Sequence, residues 1–183
     1  MKPLTQFALL ISIAAFPSTA MSQTAAAPTQ LVEKAVVQPG SLTAMISDST
    51  TFSTLKKALK AAELDVILGA KGEYTIFAPT DDAFGKLPAA VLTKLLLPEN
   101  KEKLRSLLLY HVLPGKVLAS GLKDGDLKTM NGEKVKVDSD GTKIEIEGSK
   151  VFSADVMANN GVMHSIGTVL IPKSLDGFAG LDK

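Results

Sequence analysis

Apolar positions recur along this chain with two different periods, and the change of period divides it. From residue 41 to residue 111 they fall at spacings of three and four, the signature of one helix face. Leu42, Met45 and Ile46 share one side of a first short helix over 41–46. Phe52, Leu55, Leu59 and Ala62 form the stripe of a stronger helix over 51–62, with Lys56, Lys57 and Lys60 off the stripe and Ser49 or Thr50 placed to cap it. A further turn over 64–68 ends at Gly69. Residues 74–78, Tyr-Thr-Ile-Phe-Ala, are β-branched and aromatic and predict a buried strand that Pro79 stops. Thr80 then caps a short helix with Asp81 and Asp82 in its first turn, where the helix dipole favours negative charge, and Phe84 and Leu87 face inward. Pro88 opens a helix over 89–96 and Pro98 closes it. Asn100 caps a last helix through Tyr110, whose inward row is Leu104, Leu107, Leu108 and His111.

Beyond Leu113-Pro114-Gly115 the period becomes two, predicting strands to near Ile171. Residues 134–138 and 143–147 alternate Lys/Val and Ile/Glu around Asp140-Gly141. A two-residue turn there would set Lys136 against Glu145, Asp138 against Lys143, Lys134 against Glu147, and Val135 and Val137 against Ile146 and Ile144. One face of that sheet is then wet and the other packed. A two-residue loop at Asn131-Gly132 would oppose Lys128 to Val135, so a bulge or longer loop is expected. Residues 155–161 read as a loop leading into a last apolar strand over 162–171.

The first residues have a different character. Lys2 precedes an apolar run from Phe7 to Phe16, Pro17 ends it, and small residues follow. The run is shorter than the roughly 20 residues a spanning helix needs. It predicts a cleaved signal peptide over 1–22, then an N-terminal linker over 23–40, one domain over 41–172 and a loose polar tail over 173–183. The expected location is secreted or periplasmic, with no membrane span after signal removal.

Composition narrows the chemistry. With 45% hydrophobic and 21% charged residues the chain is too apolar to be disordered. It has no cysteine, which excludes disulfides, thiolate metal sites and thiol nucleophiles. Its formal net charge is +1, and losing Lys2 with the leader would balance acids and bases. Arg105 is the one arginine, so the basic excess of a nucleic-acid binder is missing. No nucleophile elbow, phosphate loop or zinc-protease histidine pair is present, and no catalytic activity is expected.

His111 and His164 are the only histidines. They could be metal ligands or a catalytic base, but each lies in an apolar stretch without a helical-spacing partner, which favours buried, hydrogen-bonded imidazoles; no metal is expected. Asp81 and Asp82 could be paired carboxylates, yet neighbours on a helix point about 100° apart, and capping explains them better. Met157 and Met163 flank one loop, where flexible thioethers suit either core filling or an adaptable apolar pocket.

Three blocks carry a family resemblance. Tyr-Thr-Ile-Phe-Ala-Pro-Thr-Asp-Asp-Ala-Phe over 74–84 resembles the first signature of fasciclin-like domains. Leu-Tyr-His-Val-Leu-Pro-Gly over 109–115 resembles their central Tyr-His motif, and Asn-Gly-Val-Met-His-Ser-Ile over 160–166, ending at Pro172, their second signature. Gly167-Thr168 departs from the pattern, since an acid commonly follows the isoleucine. The resemblance covers residues 41–172 and is that of a single-domain, secreted bacterial-type member. It implies an α+β fold, a helical layer packed on a bent β-sandwich, with Thr80, Asp81, His111 and His164 as structural signature residues. It also implies a non-enzymatic module of cell adhesion or matrix association that contacts a cell-surface or matrix protein or glycan. Asp155-Val156, with Met157 and Asn160, lies where animal relatives resemble integrin-contacting motifs, and Tyr110-His111 belongs to a second such motif. The expected contact surface combines the loops over 80–87 and 155–161. An alternative drawn from the same resemblance is an extended apolar ligand, such as a carotenoid, held between the two signature blocks near Met163.

Overall fold

Ser41 starts the first helix with extended backbone and an Oγ that accepts from the Ala44 amide at 3.3 Å. The structure, a computed structural model, describes residues 39–70, 72–140 and 142–175. The helices are α1 (Leu42–Asp48), α2 (Ser53–Ala61), α3 (Asp65–Gly69), α4 (Asp81–Gly85), α5 (Ala89–Leu95) and α6 (Lys101–Tyr110). A 3-10 turn over Thr50–Phe52, capped by Ser49, leads into α2. The stripe Phe52, Leu55, Leu59 and Ala62 is buried as its spacing requires, and so is the row ending at His111. Two caps differ in detail. Pro88 stands one residue before α5 with extended ψ. Asn100 sits at the start of α6, but its Nδ2 donates to the Lys94 carbonyl at 2.9 Å instead of its oxygen accepting from an amide.

The strands are β1 (Tyr74–Pro79), β2 (Val112–Pro114), β3 (Gly125–Lys128), β4 (Lys134–Ser139), β5 (Ile144–Ile146), β6 (Ser149–Ala158) and β7 (Gly161–Ile166). They form one sheet in the order β2-β1-β7-β6-β5-β4-β3. The central pair β1 and β7 is parallel, from Tyr74 opposite Gly161 to Pro79 opposite Ile166, and every other pair is antiparallel. Parallel central strands are covered on both faces, which explains why both read as continuous apolar runs. Ile76, Ala78 and Met163 belong to a core shared with the helices. Phe77 and Ile166 belong to a second core with Tyr110, Val135, Val137 and Ile146, enclosed where the sheet bends back. The bend falls in β6, whose pairing with β7 shifts register between Val151 and Ser153 and again before Val156. The result is the expected α+β arrangement of a helical layer on a bent, barrel-like sheet.

Three expectations need correction. The β4–β5 hairpin is slipped by two residues: Val137 faces Ile146, Asp138 faces Glu145 and Ser139 faces Ile144. A slip of two keeps Val135, Val137 and Ile146 in the core, so burial does not distinguish the registers. The turn does. Asp140 Oδ1 accepts from the Thr142 and Lys143 amides at 2.9 and 2.7 Å and from the Thr142 hydroxyl at 2.8 Å. That carboxylate satisfies a four-residue loop, against exposed charge pairs worth only about 0.2–1 kcal/mol each. Residues 155–158 are strand, not loop, and the turn is confined to Asn159 and Asn160. The last strand ends at Ile166, although Val169 and Leu170 stay buried. The 131–132 turn is a longer loop as expected, because Leu127 pairs Val135 and Lys128 pairs Lys134.

The signal-peptide segment and most of the linker lie outside the described residues. Of the tail, residues 173–175 are docked: Lys173 N and Ser174 Oγ donate to the Glu133 carboxylate. No helix among the described residues is long and apolar enough to cross a membrane.

Candidate functional site

The two histidines use both ring nitrogens inside the protein. His111 closes α6 and is buried. Its Nδ1 donates to the Leu107 carbonyl at 2.8 Å, and its Nε2 accepts from the Leu170 amide at 2.9 Å. These partners require a neutral ring, and burial pushes its pKa down to about 4. His164, on β7, has the opposite tautomer: Nε2 donates to the Val117 carbonyl at 2.9 Å and Nδ1 accepts from the Asp155 amide at 3.3 Å. Burial lowers its pKa as well, against the opposing hydrogen bond to Val117. Its ring lies tilted against Phe77, centroids 5.8 Å apart.

His164 is one of three clamps on the segment after β2. Thr75 Oγ1 donates to the Gly115 carbonyl and accepts from the Val117 amide, both at 2.8 Å. Asp155 Oδ1 accepts from the Ala119 amide at 2.7 Å. Asp155 has a left-handed backbone, φ 56°, at the β6 irregularity, and that bend aims its carboxylate at the segment. The role of Thr75 was legible only as a polar residue inside an otherwise apolar strand.

Asn160 occupies the tip of the β6–β7 hairpin and is buried. Its Oδ1 accepts from the Leu42 amide at 2.8 Å, and its Nδ2 donates to the Leu68 and Ala70 carbonyls at 2.7 and 3.0 Å. One side chain thereby ties the start of α1 to the end of α3. Tyr110 is buried with its hydroxyl between the Lys134 carbonyl, at 3.1 Å, and Glu147 Oε1, at 3.3 Å. Burial first, and the Glu147 charge second, push its pKa up to about 12. Thr80 caps α4 through the Ala83 amide at 3.3 Å. Asp81 caps a different helix: its carboxylate accepts from the Ser53 amide and hydroxyl and the Thr54 amide, supplying the cap that α2 lacks from its own N-cap residue, Phe52. Burial alone would raise the Asp81 pKa, but the hydrogen bonds from Thr54 and Ser53 together hold it below the usual carboxylate value.

The two parts of the expected contact surface are not brought together. Thr80 adjoins Ile166 and Asn160 adjoins Tyr74, at opposite ends of the central strands, about 17 Å apart for five residue steps. The signature blocks themselves are hydrogen-bonded neighbours, β1 against β7, with Met163 buried in the helical core. The sheet leaves no room for a ligand between them, so a ligand would have to lie on an outer surface. What links the two ends on the outside is β6. Val156 is half-buried and packs on the helical core, while Phe152 and Met157 stand 70% and 52% exposed. An aromatic on the wet side of a strand was the available signal for Phe152, and sequence reasoning passed over it.

Comparison with known proteins agrees with this architecture. The Fasciclin domain family model matches residues 50–172. Protein sll1483 of Synechocystis sp. is 48% identical over 122 residues, covering 67% of this chain and 68% of that protein. Transforming growth factor-beta-induced protein ig-h3 of Sus scrofa is 38% identical over 132 residues, 71% of this chain but only 19% of ig-h3. Among solved structures, the FAS1 domain pair of the insect cell adhesion molecule Fasciclin I superposes with a TM-score of 0.65 at 18% identity, covering 73% of this chain and 51% of that one. The family match spans the sheet core, most of the helical core, both histidines and all three signature blocks, and the chain belongs to the fasciclin-domain family.

Proposed function

We propose that this chain is an exported, non-enzymatic recognition module that acts in cell adhesion or matrix association. One observation carries the reading: the polar signature residues are engaged internally. His111, His164, Asn160, Tyr110 and Asp81 each hold one element to another, Thr80 caps its own helix, and both imidazoles are held neutral. Groups so placed make a rigid scaffold and offer no reacting atom to a substrate. Contact then belongs to the outer surface, where β6 presents exposed apolar side chains. With a near-neutral chain, long-range steering is weak, and local apolar and hydrogen-bonding groups decide the contact. The Fasciclin I relation supports adhesion as the role. The test is attachment of the source cells, or their matrix, to a layer of immobilised chain. Attachment above a layer of unrelated protein, inhibited by excess soluble chain, is the expected result. Equal attachment to both layers overturns the reading.

A second reading, an extended apolar ligand such as a carotenoid, is favoured by the exposed Phe152 beside an open groove of 280 Å³. It predicts a visible absorption band that co-elutes with protein recovered from pigment-producing cells. Colourless protein from such cells counts against it.

A further inference from the structure

Gly167 is where this sequence departs from the acid that commonly follows the second signature, and the structure shows what the departure makes room for. The Phe152 ring abuts Gly167: a β-carbon built at Gly167 would collide with the ring Cε2. One edge of the ring is therefore set against Gly167, while the side chain as a whole remains 70% exposed. A large apolar residue so exposed, yet backed by a rigid strand, is a surface that favours a partner.

The surroundings of the ring are basic. The groove beside it is lined by Thr142, Lys143, Ile144, Lys150, Val151 and Ala154, which bring two ammonium groups and no carboxylate. A third lysine, Lys86, reaches from the turn after α4 and donates to the Gly167 carbonyl at 2.6 Å. The Gly167 amide in turn donates to the Lys150 carbonyl at 3.1 Å, so Phe152 and Lys150 are fixed to the same short stretch of backbone. Carboxylates stand outside this groove: Glu145 is the cross-strand neighbour of Lys150, and Asp140, whose Oδ1 accepts from the Lys143 amide, lines the adjoining groove together with Glu145, Asp138 and Lys143 itself. The irregular β6 backbone, with left-handed Asp155, is a poor template for an added strand, which argues against a partner that binds by extending the sheet.

We propose that the Phe152 face of β6 is a binding site for an acidic polysaccharide. A sugar ring presents flat C–H faces that stack on an aromatic ring, whose face carries negative quadrupole density. Carboxylate or sulfate groups along the same polymer pair with Lys143 and Lys150 on either side. Lysines and an aromatic platform on one groove suit a chain that carries both features, which a polyanion without sugar rings or a neutral glycan does not. An acid at position 167 would displace the ring and set a negative charge among the lysines, so a family member with that acid lacks the site. The proposal rests on the adhesion and matrix reading and names its partner class.

Binding of the full chain to three soluble polymers tests it: carboxymethyl-dextran, unmodified dextran and polyglutamate, at low and at physiological salt. The expected order is carboxymethyl-dextran tightest, with the other two weaker by roughly tenfold or more, and with affinity falling as salt rises. Phe152→Ser and the double variant Lys143→Ala/Lys150→Ala each lose roughly tenfold for carboxymethyl-dextran, as does Gly167→Asp. Phe152, Lys143 and Lys150 are exposed, whereas Gly167 is buried beside the ring, and unchanged thermal unfolding checks that each variant folds. Equal binding to polyglutamate, with no effect of Phe152→Ser, shows simple ion exchange and overturns the proposal. Equal binding to unmodified dextran, with no effect of the lysine changes, overturns it in favour of a neutral glycan. No binding to any polymer, while the immobilised chain still promotes attachment, overturns this site and leaves the adhesion reading standing. Polymer binding as expected, with no attachment, does the reverse.

Discussion

His111 holds a proton on the nitrogen that faces its own helix and a lone pair toward the Leu170 amide, and nothing nearby can stabilise a second proton. Its folded pKa of about 4 lies below the ordinary value of 6.5. The unfolded chain therefore takes up a proton first. The stability this ring contributes is complete above pH 6.5 and is lost as pH falls from there toward 4. The full difference is roughly 3 kcal/mol, and His164 adds loss in the same direction. Urea midpoints measured from pH 7.5 to pH 4 should fall across that window, and His111→Gln should flatten the fall while lowering stability at pH 7.5. At Asn160, substitution by Ala leaves the Leu42 amide and the Leu68 and Ala70 carbonyls without their partner. We expect about 2–4 kcal/mol of destabilisation by denaturant unfolding. The sequence foretold that the imidazoles would be buried and bonded, because each sits in an apolar run. It could not foretell the tautomers or Asn160's three bonds, since the partners come from segments far away in the chain.

The same limit shows in the elements. Helical stripes were legible because a helix face is set by its own residues, and the buried rows of α2 and α6 are those the spacing names. The capping of α2 was not legible, because its acceptor is Asp81, on another helix. The β4–β5 register was misread because charge alternation is periodic by two, and so is the error it permits. In the observed register Lys136 pairs with Asp138 on its own strand, Nζ to Oδ1 at 2.6 Å, and Glu145 sits opposite Asp138. A double-mutant cycle should therefore find a small favourable coupling between Lys136 and Asp138. Between Lys136 and Glu145 it should find essentially none, and a substantial coupling there would restore the two-residue turn. Asp140, whose bonds to Thr142 and Lys143 lower its pKa to about 2, keeps its charge and hence this turn through mildly acidic conditions.

At the scale of the whole molecule, the helical core and the sheet core have strands β1 and β7 in common, with Ile76 turned to one and Phe77 to the other. Neither core can open without exposing the wall of its neighbour. Unfolding in urea should be a single transition, with helical circular dichroism and the fluorescence of Tyr110 in the sheet core, read in a Tyr74→Phe background, changing at the same midpoint. Separated midpoints would show the cores to be independent. Three signature blocks distant in sequence thus meet along three neighbouring strands, β2, β1 and β7, which is why they could be recognised singly in the chain but their junction could not.

That pair has a consequence for the order of assembly. β1 comes early in the domain and β7 late, yet they lie side by side in the sheet and run the same way. A nascent chain cannot complete its centre until residue 166 has emerged, because the first half has no substitute for the missing strand. Until then β1 lacks its parallel neighbour, and the two cores that share these strands cannot close. The site at which this domain becomes rigid is thereby set by when its last strand arrives.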